Sequence, residues 1–257
     1  MWRKRHHSQP EIQHQELRAW YTRELGQHLS DVERRELDNV LPNLFGYHLL
    51  QIGSPVNDVL YETSRVSHKV YVESLDPDAN GSRRPSLWGE ADALPVVTDS
   101  VDVVILPHTL EFAPDPHQVL READRVLVPE GHIVILGFNP WSMWGIRRLL
   151  TGRWAGAPWS GQFRSVMRVR DWLSLLGFET KRVHCYFFRP PLQPVGLMRR
   201  LVFMEALGER WCPIFGAGYL IVAKKRVITV TPVKPRWQPK RRLVNTGVVK
   251  PTINLNP

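Results

Sequence analysis

The sequence predicts an α/β fold, a doubly wound, mostly parallel sheet with helices on both faces. Three observations carry this expectation. Residues 101–106 (VDVVIL) and 133–136 (IVIL) are short runs rich in Val and Ile, the composition of strands buried on both faces. Between them, Val119, Leu120, Ala123, Val126 and Leu127 recur at helical spacing, with charges on the opposite side. Asp115-Pro116 supplies an N-cap and a first-turn proline, and Pro129-Glu130-Gly131 reads as a turn that stops the helix. Strand, helix and strand joined by short connections make one crossover unit of a parallel sheet.

The other elements extend this unit in both directions. Residues 13–29 place Leu17, Trp20, Tyr21, Leu25 and Leu29 at three- and four-residue spacing, which predicts one amphipathic helix. Ser30-Asp31 reads as the cap of a second helix, apolar at Val32, Leu37, Val40 and Leu41 and ended by Pro42. Residues 47–53 predict the first strand and its exit turn, 56–62 a short helix, 68–72 a second strand and 86–89 a third. Residues 138–168 form an insertion in which four tryptophans accompany Phe138, Phe163 and the arginines 147, 148 and 153; residues 142–150 read as a helix within it. A helix over 169–176 ends at Gly177 as its C′ residue. Residues 178–188 and 215–224 predict two more strands, with a helix over 197–207 between them. The expected organisation is an N-terminal helical segment (1–42), a main domain (43–226) carrying the insertion, and a tail (227–257).

Composition narrows the function classes. A chain of 257 residues with 43% hydrophobic content suits one large core plus tails. No run approaches the ~20 apolar residues of a membrane span, and MWRKRHH is followed by no apolar segment, so the expected location is cytoplasmic, with a possible membrane-peripheral attachment. Cys185 and Cys212 read as free buried thiols. No metal-ligand cluster, phosphate-cradling lysine loop or nucleophile elbow is present. The formal charge of +9 is concentrated in residues 182–257. That asymmetry suits an anionic membrane surface or RNA; a merely solubilising tail is the plain alternative.

ADALP at residues 91–95 and SVDVVILPHTLEFAPDPHQVLREADRVLVPEGHIVI at 100–135 resemble the class I S-adenosylmethionine (SAM)-dependent methyltransferase domain, type 11 branch. A looser resemblance covers about residues 40–226. It implies a Rossmann-like sheet of seven strands, the last antiparallel, with S-adenosyl-L-methionine as cofactor. By the same resemblance, Gly53 is the point of closest backbone approach, and Glu73 or Asp76 holds the ribose hydroxyls. Glu90 or Asp92 accepts from the adenine amino group while the backbone at Ala91 contacts the ring. Leu106, Pro107 and His108 flank the methionine part. His108 is the candidate catalytic residue, orienting or deprotonating an acceptor hydroxyl, against a purely structural role. The N-terminal helices are candidates for a lid over the cofactor or for the cover of a sheet edge.

The chain departs from that family at one place. Gln51 stands where the family has an acid, and Gly53 alone remains of three glycines. The insertion suits an acceptor pocket for a small-molecule or lipid-like substrate, a surface that stacks on nucleobases, or a packed cap. The expected function is methyl transfer to a small-molecule or lipid-like acceptor. The alternatives are a non-catalytic scaffold that has lost its cofactor and an RNA methyltransferase.

Overall fold

The computed structural model describes residues 10–55, 59–73, 85–151, 156–191, 205, 208, 210 and 213–227. Their frame is a seven-stranded sheet built from β1 (His48–Ile52), β2 (His68–Glu73), β3 (Leu87–Trp88), β4 (Val101–Pro107), β5 (Leu127–Phe138), β6 (Phe178–Tyr186) and β7 (Gly218–Lys225). The strand order is β3-β2-β1-β4-β5-β7-β6. Every neighbouring pair is parallel except those of β7, which runs antiparallel to both β5 and β6. This is the sheet that the sequence predicts.

Period-2 alternation divides the core between two faces. Leu49, Val103, Ile105, Val134 and Leu136 point to the face covered by α1 (Pro10–Tyr21) and α2 (Glu24–Val40). Leu50, Ile52, Val104, Leu106, Ile133 and Ile135 point to the face shared with Val119, Leu120 and Ala123 of α4 (Pro116–Val126) and with Val169 and Leu173 of α6 (Val166–Leu175). A four-residue helix α3 (Thr109–Phe112) follows β4, and α5 (Met143–Thr151) lies in the insertion.

Local chemistry accounts for several boundaries. The Asp115 carboxylate accepts from the backbone N–H of His117 and Gln118, 2.9 and 3.2 Å away, and caps α4 as expected. Gly177, at φ +84, follows α6 in the left-handed conformation that ends helices. Asp102 accepts from the N–H groups of Tyr47 and His48, at 2.8 and 2.9 Å, and so fixes the entry to β1.

Four expectations require correction. The helix expected over 13–29 is broken at Thr22-Arg23, and α2 begins at Glu24, so Ser30 is buried inside α2 and caps nothing. The break brings Gly26 so close to α1 that an added Cβ would lie 2.5 Å from the Trp20 carbonyl oxygen. The apolar stripe hides this break, because Leu17, Trp20, Tyr21, Leu25 and Leu29 all remain buried. Pro129-Glu130-Gly131 is not a turn between elements: β5 already pairs at Leu127, and the register slips between Val101 and Val103. Residues 59–62 are not helical, because the Leu60 N–H is taken by the Gln51 side chain. The predicted strand over 178–188 ends at Tyr186, and Phe187 takes φ +61. The helix expected at 197–207, apart from position 205, lies outside the described residues, as do Cys212 and positions 228–257.

Candidate cofactor and acceptor site

The carboxyl ends of β1, β2, β4 and β5 carry most of the residues singled out in the sequence. Ligands of open α/β sheets bind outside this edge. At the end of β1, Gly53 adopts φ +73, and among the described residues an added Cβ would meet only the Thr109 hydroxyl, 3.5 Å away. The chain therefore turns left-handed here, which favours glycine, and presents open backbone on that side. The Thr109 hydroxyl in turn donates to the Ile52 carbonyl at 2.8 Å, tying the β4 exit to the β1 exit.

Gln51 has a structural explanation. Its side-chain amide donates to the Gly53 carbonyl at 3.1 Å and accepts from the Leu60 N–H at 2.8 Å. A carboxylate at this buried position could accept but not donate. The amide thus closes the loop on itself.

Glu73, at the end of β2, is buried and forms an ion pair with Arg18 of α1, while the Tyr71 hydroxyl donates to the same carboxylate. The Arg18 guanidinium also reaches the Ser54 carbonyl at 3.3 Å. One cation of the first helix thus lies across the exits of β1 and β2. Beside it, a cavity of about 500 Å³ opens at the α1–α2 elbow, lined by Arg18, Tyr21, Thr22, Gln27, Ser30, Asp31 and Arg34. Asp76, the other ribose candidate, lies outside the described residues. Glu90 is exposed and bridges to Ala93, Ala91 packs on the apolar core, and Asp92 is half-buried with its carbonyl 3.5 Å from the Gln118 amide. Leu106 and Pro107 are buried at the end of β4.

His108 follows Pro107 at φ 55 and is buried. Its Nε2 lies 2.9 Å from Glu33 of α2, and its Nδ1 lies 3.4 Å from Glu111 of α3. Glu111 accepts from the Phe138 N–H at 2.6 Å, and Glu33 accepts from the Tyr21 hydroxyl at 3.0 Å and the Tyr186 hydroxyl at 3.4 Å. Burial opposes a charge on this imidazole, but the two carboxylates outweigh it and hold the His108 pKa up at about 9. Burial, with Glu33 alongside, raises the Tyr21 hydroxyl well above its ordinary value. Both ring nitrogens thus face carboxylates and the protonated form is favoured, an arrangement that suits the orienting role named for His108 better than the deprotonating one, since a base must hold a free lone pair. Phe138 packs on this ring at 4.1 Å, and Trp144, Trp159, Phe163 and Trp20 build an aromatic cap around Phe138.

Sequence reasoning missed Glu33, Glu111 and Arg18. Glu33 left a trace. Leu25, Leu29, Glu33 and Leu37 are spaced by four, so an acid interrupts the buried stripe of α2. Such a charge stays buried only when partnered. Glu111 and Arg18 carry no comparable mark.

A wound sheet with this strand order, whose exits carry a left-handed glycine and a buried acid, is a doubly wound α/β domain with its ligand edge at the carboxyl ends of the strands. Comparison with known proteins identifies its class. A family profile described as "Methyltransferase domain" matches residues 71–135. The chain is 36% identical over 208 residues to the protein named "Uncharacterized protein YafS" of Escherichia coli strain K12, covering 81% of this chain and 80% of that one. Among solved structures, a SAM-dependent methyltransferase of Thermotoga maritima described as a possible histamine N-methyltransferase aligns at TM-score 0.54 and 20% identity, over 76% of this chain and 92% of that one. A chain from the complex of the Haloferax volcanii Trm112 methyltransferase activator with a putative methyltransferase aligns at TM-score 0.56 and 18% identity, over 84% and 98%. The protein belongs to the class I SAM-dependent methyltransferase family, and S-adenosylmethionine is its expected cofactor.

Proposed function

We propose that this protein transfers a methyl group from S-adenosylmethionine to a small-molecule or lipid-like acceptor. The observation that carries the reading is the pairing of open backbone at Gly53 with the buried carboxylate of Glu73 on adjoining strand ends. Gly53 admits close approach, and Glu73 accepts from a ribose diol. Glu90 or Asp92, with the backbone at Ala91, takes the adenine end. Leu106, Pro107 and His108 border the methionine end. The cofactor supplies a methyl group already activated by the sulfonium charge.

The chain's own residues then orient and exclude. His108, held as a cation between Glu33 and Glu111, positions the β4 exit and does not remove a proton from the acceptor. The aromatic cap of Phe138, Trp144, Trp159 and Phe163 keeps water from that edge and favours an apolar acceptor. Alignment of two reactants in a dry site accounts for a large part of such a rate enhancement without an acid–base pair.

Calorimetry with S-adenosylhomocysteine tests the cofactor half. The wild-type chain is expected to bind, and Glu73→Ala to bind roughly tenfold or more weakly, since charge-assisted bonds contribute about 1.5–3 kcal/mol. No binding by the wild type at any concentration refutes the reading. Incubation of the chain with methyl-labelled cofactor and a cell extract tests the acceptor half. Label in the small-molecule or organic-soluble fraction supports it, and label on RNA transfers the assignment to an RNA methyltransferase.

A further inference from the structure

Buried polar atoms in folded proteins are nearly always paired, and each orphan calls for an explanation. Among the described residues, five buried side-chain atoms have neither a hydrogen bond nor an ion pair: Glu111 Oε2, Tyr219 Oη, Arg164 Nε, Trp159 Nε1 and Ser160 Oγ. They belong to three segments. Glu111 is on α3, Tyr219 opens β7 opposite Gly137 of β5, and the other three lie in the loop before α6. The Gln162 N–H ties that loop to α3 by donating to the Glu111 carbonyl at 2.8 Å. A Cβ added at Gly137 would collide with the Tyr219 hydroxyl and lie 2.9 Å from Glu111 Oε1. The hydroxyl and the carboxyl group therefore adjoin over the Gly137 backbone, and glycine is required there. Burial and Glu111 push the Tyr219 hydroxyl well above its ordinary pKa. Burial and Arg168 lower the Arg164 pKa, and Glu111 and Tyr219 are near enough to oppose them.

The donors and acceptors of this cluster select a ligand group. Glu111 Oε1 is engaged by the Phe138 N–H and faces His108, which leaves Oε2 unused. A carboxylate only accepts, a guanidinium only donates, and a tyrosine hydroxyl does either. A ligand carboxylate or phosphate would be repelled by Glu111, and an ammonium has no lone pair for Arg164. An uncharged hydroxyl satisfies both, donating to Glu111 and accepting from Arg164 or Tyr219. Phe138 follows Gly137 in the chain and stacks on Phe163 at 5.1 Å, so the surroundings are apolar. Unpaired polar groups cost stability in the free protein, a cost typical of residues kept for a ligand.

We propose that Glu111, Tyr219 and Arg164 form the polar pole of the acceptor site and hold a hydroxyl of the acceptor. The proposal rests on the methyl-transfer reading and narrows it to a neutral, hydroxyl-bearing acceptor with an apolar body. The test is calorimetry of the full chain, saturated with S-adenosylhomocysteine, against phenol, toluene, benzoate and benzylamine. Phenol should bind about tenfold or more tightly than toluene, because a site built for a hydroxyl rejects the analogue that lacks one. Benzoate and benzylamine should also bind more weakly than phenol. Glu111→Gln and Tyr219→Phe should each weaken phenol binding several-fold. Tyr219→Phe guards against loss of fold: it removes an unpaired hydroxyl, so the free variant should unfold at the same temperature or higher. Toluene, benzoate or benzylamine binding as tightly as phenol overturns the proposal, as does phenol binding that neither variant alters. A lower unfolding temperature for free Tyr219→Phe also overturns it, since the hydroxyl would then already have a partner. These results leave the methyl-transfer reading standing if S-adenosylhomocysteine binds. If it does not bind, that reading fails and the proposal fails with it.

Discussion

The imidazolium of His108 makes stability depend on pH in a direction that can be worked out. Its pKa is about 9 in the folded chain against an ordinary value of 6.5. A group whose pKa rises on folding contributes stability that is complete below the unfolded value and is lost as pH rises through the folded one. A rise of that size corresponds to about 3 kcal/mol, at roughly 1.4 kcal/mol per unit. Wild-type protein should therefore lose about 3 kcal/mol between mildly acidic pH and pH values above 9. The perturbation is His108→Asn, which keeps a side-chain donor but cannot hold the proton. It leaves Glu33 and Glu111 facing a neutral group, so its stability should be lower at neutral pH and should lack that loss on alkalinisation. Urea unfolding of both proteins across the alkaline range gives the comparison, and the difference between the two curves removes the titrating groups that lie away from His108. Parallel curves would refute the reasoning, as would an NMR titration that places the imidazole near its ordinary pKa.

Two further outcomes follow from the β1 exit. Gly53→Val puts a branched side chain at φ +73 on the open side of the turn; the chain should still fold, with a loss of about 1–2 kcal/mol, and calorimetry should show S-adenosylhomocysteine binding lost. Gln51→Glu cannot donate to the Gly53 carbonyl and buries an acid, so denaturant unfolding should show a loss of about 1–3 kcal/mol; an unchanged midpoint would mean that the amide does not hold the loop.

The sheet was legible because its strands obey a period that burial imposes. Residues 101–106 and 133–136 read as strands, and Asp115 and Gly177 announced their local roles, since each acts on its neighbours in the chain. The helix break at Thr22-Arg23 was not legible. The buried stripe continues through it, and only Gly26 records how closely the two helices meet. The site was legible on one side alone. The strand exits supplied Gly53, Glu73 and His108, but what each of them touches comes from elsewhere in the chain. Arg18 reaches Glu73, and Glu33 reaches His108 across 75 positions. A charge on an apolar stripe announces that it has a partner without saying where that partner lies.

That separation bears on any attempt to trim the protein. The family profile covers residues 71–135, which include Glu73, His108 and Glu111. A piece cut to those limits would lack β1 with its glycine, the arginine that neutralises Glu73, and one of the two carboxylates that keep the imidazole protonated. The N-terminal helices are thus working parts of the strand exits, and excising them would alter the electrostatics of the centre before it altered the packing of the sheet.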